Sequence, residues 1–177
     1  MISQKDLANS INVSKGMINR YLHNLIDENY IYANSDSSDG TNIYIWNKSD
    51  FSFNTSLTNM SNRTFVYTDT NYLYAGSFDN NIYIFNKSDF SLYDTINVGS
   101  QVGSIYVDEN YMYIANKDDS FYIYNKNDWN LEYSNSPYGT DRTISIIADN
   151  NYLYIGYRTG GLYIYKIRDI TNYPLKT

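Results

Sequence analysis

Along most of the chain, apolar and polar positions follow the two-residue rhythm of strands. Take residues 64–97. Phe65, Val66 and Tyr67 form a short run, and Asp69-Thr70-Asn71 interrupts it. Asp and Asn in such a cluster bond their own backbone and tolerate left-handed geometry, so a turn is expected there. Tyr72 to Ala75 reads as a second strand, rich in aromatics. Gly76 to Asn81 has hairpin chemistry. Ile82-Tyr83-Ile84-Phe85 is apolar on both faces, the pattern of a strand covered on both sides. After the turn Asn86-Lys87-Ser88-Asp89, Phe90, Leu92 and Ile96 alternate with Ser91, Tyr93 and Thr95, as in a half-exposed outer strand.

This unit recurs. NYLYAGSFDNNIYIFNKSDF from Asn71 returns as NYIYANSDSSDGTNIYIWNKSDF from Asn29, NYMYIANKDDSFYIYNKNDW from Asn110 and NYLYIGYRTGGLYIYKIRDI from Asn151. The anchor tyrosines Tyr30, Tyr72, Tyr111 and Tyr152 are 42, 39 and 41 residues apart. A period of about 40–45 residues with four strands per repeat is the signature of a β-propeller blade. A helical solenoid is disfavoured, because Tyr, Ile, Asn and Gly dominate the repeats and helix formers are scarce. The expectation is a mainly β chain: about four four-stranded repeats in a partial ring, with units near 29–63, 64–102, 103–142 and 143–177. The first lacks its innermost strand, since a helix occupies that place in the sequence. The fourth has only Ile167 to Thr177, with Pro174, left for an outer strand.

Residues 1–28 have a different period. Ser3 with Asp6 can cap one helix, and Leu7, Ala8 and Ile11 are its apolar side. Ser14 can cap a second, in which Met17, Ile18, Tyr21, Leu22, Leu25 and Ile26 recur at three- and four-residue spacing. A short helical pair is expected, followed by the repeats at 29–177. Gln4, Leu7-Ala8, Ile11, Val13-Ser14, Ile18, Arg20, Leu25 and Tyr30-Ile31 resemble the winged helix-turn-helix regulators of bacteria and archaea, over about a fifth of the chain. The resemblance implies that the second helix enters the major groove, with Ser14, Lys15, Asn19 and Arg20 facing DNA, and that a wing spans Tyr30 to Trp46 with its tip at Ser35–Gly40. The competing reading is a helical cap on the end of the propeller. The shared tail Asn-Lys-Ser-Asp-Phe at Asn47 and Asn86 favours reading the hairpin as part of a blade. Ile43-Tyr44-Ile45-Trp46-Asn47 resembles the third strand of tryptophan–aspartate (WD-type) repeats, and LYAGSFDNNIYIFN equally resembles quinoprotein-like propellers.

Composition narrows function without assigning it. The net charge of −6 disfavours a general nucleic-acid coat. Absence of cysteine removes disulfides, thiolate metal sites and thiol nucleophiles. The start lacks an apolar signal core, and a cytoplasmic compartment is expected. The 22 tyrosines are read chiefly as packing, rings buried and hydroxyls at the rim. His23, the single histidine, has no partners for catalysis. Asp118-Asp119 and Asp141 lack the spacing of a calcium loop, and Gly160-Gly161 lies in a hairpin, away from any strand-to-helix phosphate cradle. No reaction, cofactor or metal is expected.

The leading expectation is a binding or scaffold module that takes a protein or peptide partner. Its site would be the irregular loops Gly76–Asn81, Ala115–Ser120, Gly156–Gly161, Thr58–Arg63, Asn97–Gly103 and Ser134–Arg142. Arg63, Arg142 and Arg158, with Tyr138, Tyr157 and Phe78, are the candidate partner-binding residues, and an acidic partner would suit them. Alternatives are a DNA-binding regulator whose repeats sense or assemble, and a partial gene product. Because four blades are few for a ring, two copies completing a larger ring, or else a strained or open arc, is also expected.

Overall fold

The computed structural model describes residues 27–34, 41–60, 64–136 and 142–167. The N-terminal helical pair, with Ser14, Lys15, Asn19 and Arg20, and the hairpin tip at Ser35–Gly40 lie outside them.

Each sequence repeat becomes one antiparallel sheet. The first sheet is β1 (Tyr30–Asn34), β2 (Thr41–Asn47) and β3 (Phe53–Met60). The second is β4 (Thr64–Thr68), β5 (Tyr72–Ser77), β6 (Asn81–Asn86) and β7 (Leu92–Asn97). The third is β8 (Val102–Val107), β9 (Tyr111–Asn116), β10 (Phe121–Asn125) and β11 (Leu131–Asn135), and the fourth is β12 (Thr143–Ala148), β13 (Tyr152–Tyr157) and β14 (Gly161–Lys166). The expectation of four strands per repeat therefore holds for the two middle copies. Among the described residues the first sheet lacks the inner strand and the fourth lacks the outer one. Each β1-, β5- and β9-type strand pairs in order with the strand after it, and the outer pairs carry a bulge at one repeat position: Ile45/Trp46, Ile84/Phe85 and Ile123/Tyr124. A bulge adds twist to its strand.

The sheets stack face to face in chain order, each presenting a front to the next and a back to the one before. The first front (Tyr32, Ile43, Ile45) meets the second back (Leu73, Ala75, Phe85). The second front (Tyr74, Ile82, Ile84) meets Val102, Ile105, Met112, Ile114 and Tyr124 of the third. The third front (Tyr113, Phe121, Ile123) meets Ile146, Leu153 and Ile155 of the fourth. Strands covered on both faces need apolar residues in succession, and β5 and β9 are accordingly buried at every position after their first tyrosine. Gly76 shows how close the approach is. A Cβ there would lie 2.5 Å from Val102 Cγ1 and 2.6 Å from Ile105 Cδ1, so the second front admits no side chain at that point. Among the described residues no core cluster joins the fourth sheet to the first, and none of their helices is long and apolar enough to cross a membrane.

Candidate functional site

The stack has two ends with different chemistry. At one end lie the Asp-x-Asn and Asn-Lys-x-Asp turns. Asp69 Oδ1 accepts the amides of Asn71 and Tyr72, each at 2.8 Å, and its Oδ2 accepts the Tyr74 hydroxyl at 2.7 Å. Asp27, Asp108 and Asp149 repeat this arrangement with Tyr32, Tyr113 and Tyr154. One carboxylate thus caps the turn and fixes a tyrosine, and in the first three sheets that ring lies in the inter-sheet core. Lys87 donates to its own sheet's Asp69 carbonyl at 2.8 Å and pairs with Asp27 of the preceding sheet at 2.7 Å. Lys126 does the same with Asp108 and Asp69. In the fourth sheet the corresponding residue is Ile167, so the pattern stops.

Aromatic residues reinforce these joints. Phe51, Phe90 and Trp129 adopt φ of 59°, 59° and 57°, a left-handed conformation that costs a non-glycine residue about 1–2 kcal/mol. The strained turn aims two of these rings at the preceding sheet. Phe90 meets Tyr30 edge-on at 5.0 Å, and Trp129 meets Tyr72 and Tyr74 at 6.0 and 6.1 Å. Such aromatic pairs add about 0.5–1.5 kcal/mol beyond their burial. A hollow of about 430 Å³ between the first two sheets is floored by Tyr30 and Tyr72, and its rim is made of these same turns. The end is regular because it joins sheets.

Charge follows from that geometry. Burial alone would raise the Asp69 carboxyl, but the Lys126 ammonium, the Tyr74 hydroxyl and two amides outweigh it and hold it below the usual carboxylate range. Asp27 is lowered in the same way, with Lys87 and Tyr32 as partners. The paired hydroxyls shift oppositely: burial first, and then the adjacent carboxylates, push Tyr32, Tyr74 and Tyr113 well above the ordinary phenol range.

The other end is irregular. It gathers the β5–β6, β9–β10 and β13–β14 hairpin loops and the connection from β7 to β8. Val98 N donates to Asn80 O, Lys117 N to Gln101 O and Arg158 N to Arg142 O. Lys117 Nζ stands 3.7 Å from the centre of the Phe78 ring, a cation–π contact across adjacent sheets. Asn116 is fully buried; its Nδ2 donates to Val98 O at 3.1 Å while its Oδ1 accepts no hydrogen bond. The Thr143 hydroxyl donates to the Asn116 carbonyl. Asp118 accepts the Ser120 amide and hydroxyl; burial would raise this carboxyl, and those bonds outweigh it and lower it. Asp119, buried with φ of 83°, receives the Ser136 hydroxyl at 3.3 Å.

Of the partner-binding candidates, Phe78 lies half-buried at this end, and Arg142 and Arg158 are exposed on adjoining loops. Tyr157 is only 3% exposed and stacks edge-on against Tyr163 at 5.3 Å within the third-to-fourth core. It sits opposite Thr143 at the end of β13, where strand alternation points inward. Arg63 and Tyr138 lie outside the described residues. Lys117 was missed by reading arginines alone; its signal was the adjacent Phe78-bearing loop one repeat earlier. Lys117 adjoins Asp118 and Asp119 in its hairpin, and Asp79 follows the Phe78 that Lys117 covers, so the end is mixed in charge. Among the described residues no cluster of three or more His, Cys, Asp or Glu could hold a metal.

Compared with known proteins, residues 2–32 match the family described as winged helix-turn-helix DNA-binding. No curated protein matches the chain. Among solved structures, the chain is similar to the computationally designed Ika4 protein, with a TM-score of 0.69 and 11% identity over 80% of this chain and 88% of that one. It is similar to the computationally designed Ika8 protein with a TM-score of 0.70 and 11% identity, over 81% of this chain and 45% of that one. These neighbours are β-propeller-like, and at such identity the likeness concerns the fold alone.

Proposed function

We propose that the repeats form a non-enzymatic binding module and that the irregular loop end takes a protein or peptide partner. The observation that carries this reading is the contrast between the two ends. The Asp-x-Asn turns repeat one motif in which each aspartate caps its turn and holds a tyrosine, whereas the loops at the other end vary in sequence from repeat to repeat and carry the exposed Arg142 and Arg158. Variable loops on a repeated scaffold are where recognition resides, and arginine is among the residues enriched at interface hot spots. An acidic peptide or protein suits the cations, and the compartment would be cytoplasmic. Changing Arg63, Arg142 and Arg158 together to Ser is expected to abolish capture of the partner by immobilised full-length chain and to leave thermal stability within a few degrees. Undiminished capture would place the site elsewhere.

A second reading is favoured by the match of residues 2–32 to a winged helix-turn-helix DNA-binding family. In it the N-terminal segment contacts DNA through Ser14, Lys15, Asn19 and Arg20, while the repeats sense or assemble. Anisotropy titration of mixed-sequence duplexes at low salt tests it. Binding that weakens with salt and falls about ten-fold or more in a Lys15→Ala/Arg20→Ala variant is the expected result. No binding at micromolar protein would remove the reading.

A further inference from the structure

The fourth sheet exposes residues that the repeat elsewhere buries. Ile164 is the counterpart of Ile45, Ile84 and Ile123, each opposite the same tyrosine of the neighbouring strand. Those three are 0% exposed and Ile164 is 57% exposed. Leu162 is 63% exposed, while its counterparts Ile43, Ile82 and Phe121 are fully buried. Ile144 and Ile147 of β12 lie exposed on the same front. The buried run of β5 and β9 accordingly becomes a strict alternation in β13. At Gly156, the counterpart of Gly76, a Cβ would meet Ser145 and Ile144 of its own sheet but no atom of a further one. Among the described residues, the front of the fourth sheet is thus a blade front without a facing blade. Contiguous apolar surface of this kind marks an interaction site.

We propose that this front is covered by the same front of a second copy of the chain, related by a two-fold axis. A head-to-tail continuation would need the back of the first sheet, and there Ile31 and Trp46 are each 7% exposed, against 57% for Ile164 on the fourth front. Among the described residues the fourth front is the sheet face left bare, so the surface of like character that a second copy offers is this face itself. Self-contact of one patch gives a closed dimer. The rim does not oppose it: Asp149 and Lys166, both exposed, lie at the same end of this sheet and carry opposite charge. The inference is independent of what the loop end binds.

Sedimentation velocity on the full chain at tens of micromolar is expected to give twice the chain mass. Ile164→Lys is expected to halve that mass, and Leu162→Glu is the companion should the first variant misfold, each checked by an unchanged far-UV spectrum. The chain has no cysteine, so Leu162→Cys offers a clean probe. Oxidation is expected to link it into a covalent dimer, while Leu92→Cys on the outer strand of the second sheet stays single. A monomeric wild-type chain would overturn the proposal. So would a dimer that persists in folded Ile164→Lys without a Leu162→Cys link, since the contact would then lie on another surface, head-to-tail stacking included.

Discussion

At the scale of the residue, one aspartate per repeat couples turn, strand and core. Its two oxygens serve different partners, so its loss removes both a cap and a tyrosine anchor. For Asp69, which also holds Lys126 at 2.7 Å, Asp69→Ala is expected to cost about 1.5–3 kcal/mol, the range for hydrogen bonds to a charged group; urea denaturation measures it. The shifted groups set a pH window. Asp27 and Asp69 titrate below their ordinary 3.8 in the fold. Their contribution is therefore present above about pH 4 and is lost as pH falls through the lower folded values. Tyr32, Tyr74 and Tyr113 are raised from 10.0, so theirs is present below about pH 10 and lost as pH rises further. In a spectrophotometric titration these three are expected to remain protonated past pH 10 and to ionise only as the fold opens. Early ionisation of all the tyrosines, with the fold intact, would contradict the buried hydroxyl–carboxylate pairs.

At the scale of the element, the strands, their turns and the division into sheets were legible because each apolar run is bounded by Asp, Asn or Gly. The second repeat reads almost residue for residue as β4 to β7. What the pattern could not give was burial. β6 and β14 carry the near-identical strings IYIF and LYIY, yet Ile84 is sealed and Ile164 is bare, because burial depends on whether another sheet follows. Tyr157 was legible as an aromatic near a loop but not as core, since it ends a strand whose parity turns it inward. The glycines test the same distinction. Gly76→Ala places a methyl against Val102 and Ile105 of the next sheet, and overpacking there is expected to cost about 1–3 kcal/mol. Gly156→Ala displaces only the Ser145 hydroxyl, a side chain free to rotate, and is expected to cost well under 1 kcal/mol. Thermal melts of the two variants compare them directly.

At the scale of the whole molecule, the repeats form a stack whose interfaces share one design: front apolar residues on a back, with a lysine–aspartate pair and an aromatic joint at one end of the earlier junctions. The regular end is thus architectural, the proposed recognition falls to the irregular end, and among the described residues the front of the fourth sheet is left bare. An open stack makes a direct demand on stability. Ile45, Ile84, Ile123 and Ile164 should each be changed to Ala and their unfolding free energies measured at a protein concentration low enough to keep the chain monomeric. The first three are expected to lose about 2–5 kcal/mol, as buried isoleucines do, and Ile164→Ala about 0.5 kcal/mol or less, as at a surface position. A loss at Ile164 equal to that at Ile84 and Ile123 would mean that the fourth front is sealed within a single chain, and would contradict the open stack.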